Sequence, residues 1–195
     1  VVKEIKHWIE NLKTNKFLFR DPVFSINRKY TVSLCEKIIR ENLKIEFLIE
    51  THLKNLDDEL IILLKRAGLK MVYVGIESSS SAILKNVNRF TVNNDQQYQI
   101  IKKLKKNGIY VKSMFMFGLP DDTEEIIKKT IQYSKFLPSQ LVQFSVFTPY
   151  PGTPAYNEFK NKIMVREFEK FNQYNLVYKH KFLNNDMITK LKNLG

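Results

Sequence analysis

Thiols are the scarcest feature of this chain: its 195 residues contain one cysteine, Cys35. A disulfide within the chain is excluded, and a reducing compartment, the cytoplasm, is the expected location. No apolar stretch approaches the roughly 20 residues that a membrane-spanning helix needs, and no secretory signal opens the sequence. Several motifs that announce common chemistries are also missing. There is no CxxC, no HExxH, no Walker-type glycine loop and no serine nucleophile elbow, so none of those sites can be assigned. Acidic residues are outnumbered, 20 Asp+Glu against 32 Lys+Arg, for a formal charge of +12 and a pI near 9.6. Such a balance suits a nucleic-acid partner in principle. Here the lysines are scattered over helix faces and asparagine is abundant too, as in chains with a general Lys/Asn bias. Charge alone names no partner.

What is present suits one globular domain with a proper core, at 44% hydrophobic and 27% charged residues. The chain begins at Val1, and Val2, Ile5, Ile9 and Leu12 already recur at helical spacing with no capping side chain before them. A helix beginning upstream is expected, so the chain reads as a piece of a longer protein. A short aromatic strand follows at Phe17–Asp21, closed by Pro22. Then come a helix over about 28–42, a strand at Lys44–Glu50, a helix over about 57–67 ended by Gly68, and a strand at Met71–Ile76. That last strand is nearly all apolar, as for a parallel sheet covered on both faces. Helices at about 80–87 and 94–107, a strand at Ile109–Phe117, a helix opened by the capping-box-like pair Asp122 and Glu125, a strand at Leu141–Thr148 and a helix at 154–162 complete the pattern.

Strand–helix alternation of this kind predicts parallel βα units. The expected fold is α/β, a partial (β/α) TIM-like barrel with about five of six units, since a closed eight-unit barrel typically needs about 250 residues. Residues 1–163 are assigned to the core, and 164–195 to a C-terminal extension of irregular structure plus a helix.

Three of the strands run into short polar loops marked by Gly or Pro: Gly75-Ile76-Glu77-Ser78, Phe117-Gly118-Leu119-Pro120-Asp121-Asp122, and Thr148-Pro149-Tyr150-Pro151-Gly152-Thr153-Pro154. The carboxyl ends of parallel strands are where α/β proteins bind ligands. Glu77, at the end of a buried strand, suits a ligand that offers hydroxyls, or else accepts from amides of the next helix. Ser78 to Ser81 read as helix caps. Asp21 and Glu50 add two more strand-end carboxylates, which fit a hard cation or a ligand with an ammonium group. Two aspartates beside Leu119 disfavour an anion at that helix start and point to capping. His52 is the only histidine expected near the ligand edge, His7 lies on a surface helix, and Cys35 sits on an apolar helix stripe and is assigned to the core.

Taken in order, these segments resemble the radical S-adenosylmethionine (SAM) superfamily, in particular enzymes with an upstream cobalamin-binding domain. The resemblance rests on Phe19-Arg20-Asp21-Pro22, Glu50-Thr51-His52, Leu56-Asp57-Asp58-Glu59-Leu60, Gly75-Ile76-Glu77-Ser78, Phe117-Gly118-Leu119-Pro120 and Thr148-Pro149-Tyr150-Pro151-Gly152-Thr153. It implies SAM laid across the strand ends. Glu77 would accept from the ribose hydroxyls, with Ser78 beside it among the cofactor-binding residues, Asp21 and Glu50 near the methionine end, and Phe117, Leu119, Thr148, Pro149 and Tyr150 around adenine. It also implies a [4Fe–4S] cluster that cleaves SAM to a 5′-deoxyadenosyl radical. Such clusters take three thiolates from a CxxxCxxC loop, which this chain lacks. The resemblance therefore predicts a fragment of an enzyme whose cluster ligands lie on a missing N-terminal unit, inactive on its own, with cobalamin upstream. Its substrate could be a small molecule, an RNA or a peptide. Two other readings stay open: a non-catalytic basic α/β module that binds RNA, and a barrel enzyme using Asp21, Glu50 and Glu77 with a metal.

Overall fold

The computed structural model describes residues 1–89 and 92–195. Helix α1 (Val2–Leu12) is followed by β1 (Lys16–Leu18), α2 (Arg28–Arg40), β2 (Glu46–Thr51), α3 (Asp58–Ala67), β3 (Leu69–Glu77), α4 (Ser81–Asn86), α5 (Asn94–Lys106), β4 (Tyr110–Phe117), α6 (Glu124–Phe136), β5 (Leu141–Val146), α7 (Pro154–Phe159) and α8 (Asn185–Leu194). The strands form one sheet in the order β1-β2-β3-β4-β5, so sequence neighbours are also spatial neighbours. The pairs β1/β2 and β2/β3 are parallel, and Glu50 and Thr51 stand opposite Tyr73 and Val74.

Local chemistry explains where the helices start. Each of α2 to α8 is opened by a side chain that accepts from a backbone amide: Asn27, Asp57, Ser80, Asn93, Thr123, Thr153 and Asn184. Only α1 has no side-chain cap. Asn93 and Gln96 make a reciprocal capping box at α5. At α6 the expected Asp122/Glu125 pair is replaced: Thr123 is the cap, and Asp122 turns back into the preceding loop. A hydroxyl one residue closer to the helix accepts from the Ile126 amide in the first turn, which frees Asp122 for another task. The first strand is also shorter than Phe17–Asp21, ending at Leu18. The chain still follows β2 beyond it, through Phe19 N to Leu48 O at 3.0 Å and Phe24 N to Glu50 O at 2.8 Å.

The chain divides into two compact units. The first comprises Val1–Gly75, Thr91–Ser113 and Pro138–Leu141, the second Ile76–Phe90, Met114–Leu137 and Val142–Gly195. In the first, α2 packs on α3, burying Leu34, Cys35 and Ile38 of α2, Leu60, Ile61 and Leu64 of α3, and Phe47, Ile49, Val72 and Val74 of the strands. In the second, Phe117, Val146, Ile127 and Ile131 form one cluster with Phe159, Leu176, Tyr178, Leu183, Ile188 and Leu191. Half of that cluster comes from residues after 163, so the C-terminal segment supplies core to the second unit. Burial of this kind contributes roughly 1.5–3 kcal/mol per large apolar side chain.

Burial alternates along the central strands, in contrast to the two-sided covering expected of β3. In β3, Val72, Val74 and Ile76 are buried while Met71, Tyr73, Gly75 and Glu77 are half-exposed; in β4, Val111, Ser113, Phe115 and Phe117 are buried while Lys112, Met114 and Met116 are half-exposed. Apolar residues on both faces made the two cases indistinguishable in sequence. One face carries the core, and the other mixes apolar and charged residues that are only half-covered.

Candidate functional site

In the first unit the carboxyl end of β2 carries Glu50, half-buried on the open face. Burial pushes its carboxyl above the ordinary value, against the opposing pull of Arg20 and Lys112. Lys112 lies with its ammonium 5.0 Å above the Tyr73 ring, so Glu50, Tyr73 and Lys112 share this face across three strands. Asp21 is exposed and lies beyond the end of β1 rather than on it. The segment between them is fixed by the Ser25 and Thr51 hydroxyls, which bond to each other, and by Thr31 Oγ1 donating to Phe24 O at 3.2 Å. Cys35 is fully buried on α2, and burial, with Glu36 nearby, raises its thiol pKa to about 12. A buried thiol that resists ionisation is an unreactive core group.

In the second unit Glu77 closes β3. Its φ is 65°, and Ser78 N donates to Ile76 O at 2.8 Å across it. Positive φ with an i to i+2 bond is the strained kind of γ-turn, rare for a residue with a side chain. Such strain costs of order 1–3 kcal/mol and clusters at functional sites. Ser78 is buried. Its Oγ accepts from Ser80 N at 3.2 Å and lies 3.4 Å from Thr130 Oγ1, while Ser79 N donates to the same Thr130 oxygen at 3.2 Å. A hydroxyl of α6 thus holds the turn after Glu77.

The next loop is built on Gly118, whose φ of +75° suits glycine and whose Cα faces Leu176. Asp122 folds under it, taking Leu119 N on Oδ2 at 2.9 Å while Asp122 N donates to Leu119 O at 2.8 Å. Asp122 is almost wholly buried, which raises its pKa to about 7 against the lowering effect of the Leu119 and Gly118 amides. Phe117 was expected beside adenine, but its side chain is buried in the core, stacked on Phe144 at 4.8 Å. It follows the inward parity of β4, so only its backbone reaches the strand end.

The last loop holds Thr148, whose Oγ1 donates to Val146 O at 3.0 Å, buried Pro149, and Tyr150, which is 37% exposed. Thr153 Oγ1 donates to Tyr150 O at 2.7 Å and closes the turn. The Gly118 and Thr148 loops border a cavity of about 720 Å³, lined among others by Leu119, Asp121, Thr148, Tyr150, Met116 and Phe147; Glu77 and Ser78 are not among its lining residues. Its size is that of a small-molecule site. Asn86 Nδ2 bonds Asp121 Oδ2 at 2.9 Å at its wall.

Of the expected site residues, the second unit therefore brings Leu119, Thr148 and Tyr150 to one cavity. Sequence reasoning missed Met116, Lys112 and Tyr73, because most of the residues between them are apolar as well and do not mark which face is open. It also missed His180 and Tyr178 of the C-terminal segment, for which no local pattern exists. Among the described residues no group of three or more His, Cys, Asp or Glu is arranged to hold a metal ion. No described helix is long and apolar enough to cross a membrane.

A profile of the radical SAM superfamily matches residues 1–134. The chain belongs to the radical SAM superfamily. Members of this family use SAM and a [4Fe–4S] cluster. The chain is 29% identical over 195 residues to an uncharacterized methyltransferase of Pyrococcus horikoshii, covering 98% of this chain and 42% of that protein. It is 29% identical over 174 residues to the anaerobic magnesium-protoporphyrin IX monomethyl ester cyclase of Rubrivivax gelatinosus, covering 88% and 31% respectively. It thus spans less than half the length of these relatives. Among solved structures, the radical SAM methyltransferase TsrM of Kitasatospora setae, determined with cobalamin and a [4Fe–4S] cluster, superposes with a TM-score of 0.75 at 19% identity, covering 83% of this chain and 33% of that one. The shared fold is the α/β partial TIM-like barrel.

The residues present fit the two family cofactors differently. A cleft with mixed walls, apolar at Met116, Leu119 and Phe147 and polar at Asn86, Asp121 and Thr148, suits an adenosine group. A lone buried cysteine does not suit a [4Fe–4S] cluster, which takes three or four thiolates.

Proposed function

We propose that this chain is the SAM-binding part of a longer radical SAM enzyme of the cobalamin-dependent methyltransferase kind. Support for the methyl-transfer class comes from the methyltransferase relative and from TsrM, a methyltransferase determined with cobalamin. The observation that carries the reading is the cavity of the second unit, where Leu119, Thr148 and Tyr150 meet at the strand ends. Adenine stacks between Leu119 and Tyr150 in this reading, with backbone of the Thr148–Pro149 segment along its edge. Glu77 accepts from the ribose hydroxyls, and Ser78 holds Glu77's turn rather than touching the ligand. SAM, when bound, is the family's source of hydrogen-abstracting chemistry. This chain's residues bind and orient it, and the cluster's ligands lie outside these 195 residues.

Isothermal titration of the chain with SAM tests the assignment. Tyr150→Ala removes a partly exposed ring and leaves the core intact, while Glu77→Ala removes a charge-assisted acceptor worth about 1.5–3 kcal/mol. Both variants should weaken SAM binding with little change in Tm. Affinity equal to the parent in both would remove this edge from the site.

A further inference from the structure

The segment after residue 175 returns to the Gly118–Leu119 loop and takes hold of both of its carbonyls. Tyr178 Oη donates to Gly118 O at 2.8 Å, and His180 Nε2 lies 2.8 Å from Leu119 O. The role of the histidine nitrogen is fixed by its other side. Phe182 N and Leu183 N both donate to Nδ1, at 3.1 and 3.2 Å, so Nδ1 carries no proton and Nε2 must be the donor. Leu176 lies against Gly118, and Tyr178 and His180 are themselves buried. The C-terminal segment therefore acts on a ligand-facing loop through two directed bonds in addition to its packing.

We propose that Tyr178 and His180 are positioning residues for the ligand: they hold the Gly118 and Leu119 carbonyls down so that the Leu119 side chain and the loop's backbone keep the cavity in its binding shape. This inference rests on the reading of that cavity as the adenosine site. Neither residue lines the cavity. Both act through the loop, from a segment 60 and 61 residues away in sequence. A C-terminal truncation or a partner that engages this segment would thereby alter ligand affinity without touching the ligand.

The two ring nitrogens of His180 allow its two jobs to be separated. His180→Asn places an amide oxygen where Nδ1 was, keeping the turn at 180–183, and cannot reach Leu119 O. His180→Gln reaches Leu119 O with an amide donor and forfeits the turn's acceptor. Tyr178→Phe keeps the ring in the core and removes only the hydroxyl. SAM affinity is measured by titration, and amide hydrogen exchange is followed over residues 117–122 without ligand. His180→Asn and Tyr178→Phe should each weaken SAM binding about threefold to tenfold, as for loss of one hydrogen bond, and should speed exchange at that loop. His180→Gln should bind within about twofold of the parent. Weak binding in His180→Gln with parental binding in His180→Asn would mean that only the turn matters, and would overturn the proposal. Parental affinity and exchange in all three variants would overturn it as well. A parent chain that binds no SAM defeats the adenosine-site reading and the ligand role with it, whereas unaltered parental binding with unaltered exchange in the variants defeats the positioning role alone.

Discussion

Asp122 and His180 flank the same loop from opposite sides and respond to pH with opposite signs. Burial raises the Asp122 carboxyl from 3.8 to about 7. A group whose pKa rises on folding stabilises fully below its unfolded value, and the contribution disappears as pH climbs through the folded value. Stability from Asp122 is therefore lost between about pH 4 and pH 7, on the order of 4 kcal/mol in all. Burial lowers the His180 value, against opposing help from Leu119 O and Asp121. Its contribution is present above about pH 6.5 and is lost as pH falls further. Asp122→Asn keeps an acceptor for the Leu119 amide and deletes the titration. Urea denaturation should show this variant near parity with the parent at pH 4 and clearly more stable at pH 8, because the fall due to Asp122 is gone from its pH profile. Glu77 calls for a different substitution. Glu77→Gly removes a positive-φ penalty of about 1–3 kcal/mol at an entropic cost of about 0.5–1 kcal/mol. Stability should hold or rise while SAM affinity falls about tenfold or more, the loss expected for a charge-assisted hydrogen bond. A variant that lost stability would show that Glu77's side chain serves the fold.

At the scale of elements, glycines enforce two connections, one from helix to strand and one from strand to helix. Gly68 ends α3 with φ 111°, and a β-carbon there would run into the Ile45 carbonyl oxygen just before β2. Gly152 has φ 86° with open space around it. Gly68→Ala should cost about 2–5 kcal/mol, from the backbone penalty and the collision together, and Gly152→Ala only about 1–2 kcal/mol, from the backbone alone. Equal losses in chemical denaturation would refute the collision at Ile45. Gly68 was readable as a helix stop because a helical stripe precedes it and an apolar strand follows. The order of strands and helices was readable for the same reason: each element carries its own periodicity and its own cap. The cap of α6 was misread because Asp122 and Thr123 are both good caps, and sequence cannot say which one has been recruited by a buried loop amide. Faces were harder. Met114 and Met116 alternate with Phe115 and Phe117, apolar against apolar, so hydrophobicity could not separate core from ligand surface or show that Phe117 points inward.

For the whole molecule, the long-range links were the part that sequence could not show. The pairing of Tyr178 and His180 with Gly118 and Leu119 joins positions with no shared period, and the Lys112–Tyr73 contact joins two strands through side chains alone. Composition, by contrast, spoke directly about one limit. A [4Fe–4S] cluster takes three or four thiolates, and this chain offers one, held at the bottom of the α2–α3 packing with its pKa raised to about 12. Cys35 should therefore behave as a core residue: Cys35→Ala leaves a small void and should cost about 1 kcal/mol, like removal of one buried methylene-sized group. Iron chemistry provides the sharper measurement. Reconstituted anaerobically with iron and sulfide, the 195-residue chain should retain no stoichiometric iron and make no 5′-deoxyadenosine, and Cys35→Ala should leave both results unchanged. SAM should still bind, because the cavity at Leu119, Thr148 and Tyr150 does not depend on a thiolate. Stoichiometric iron that disappears in Cys35→Ala would show that α2 opens to expose its cysteine, and the assignment of Cys35 to the core would have to be abandoned.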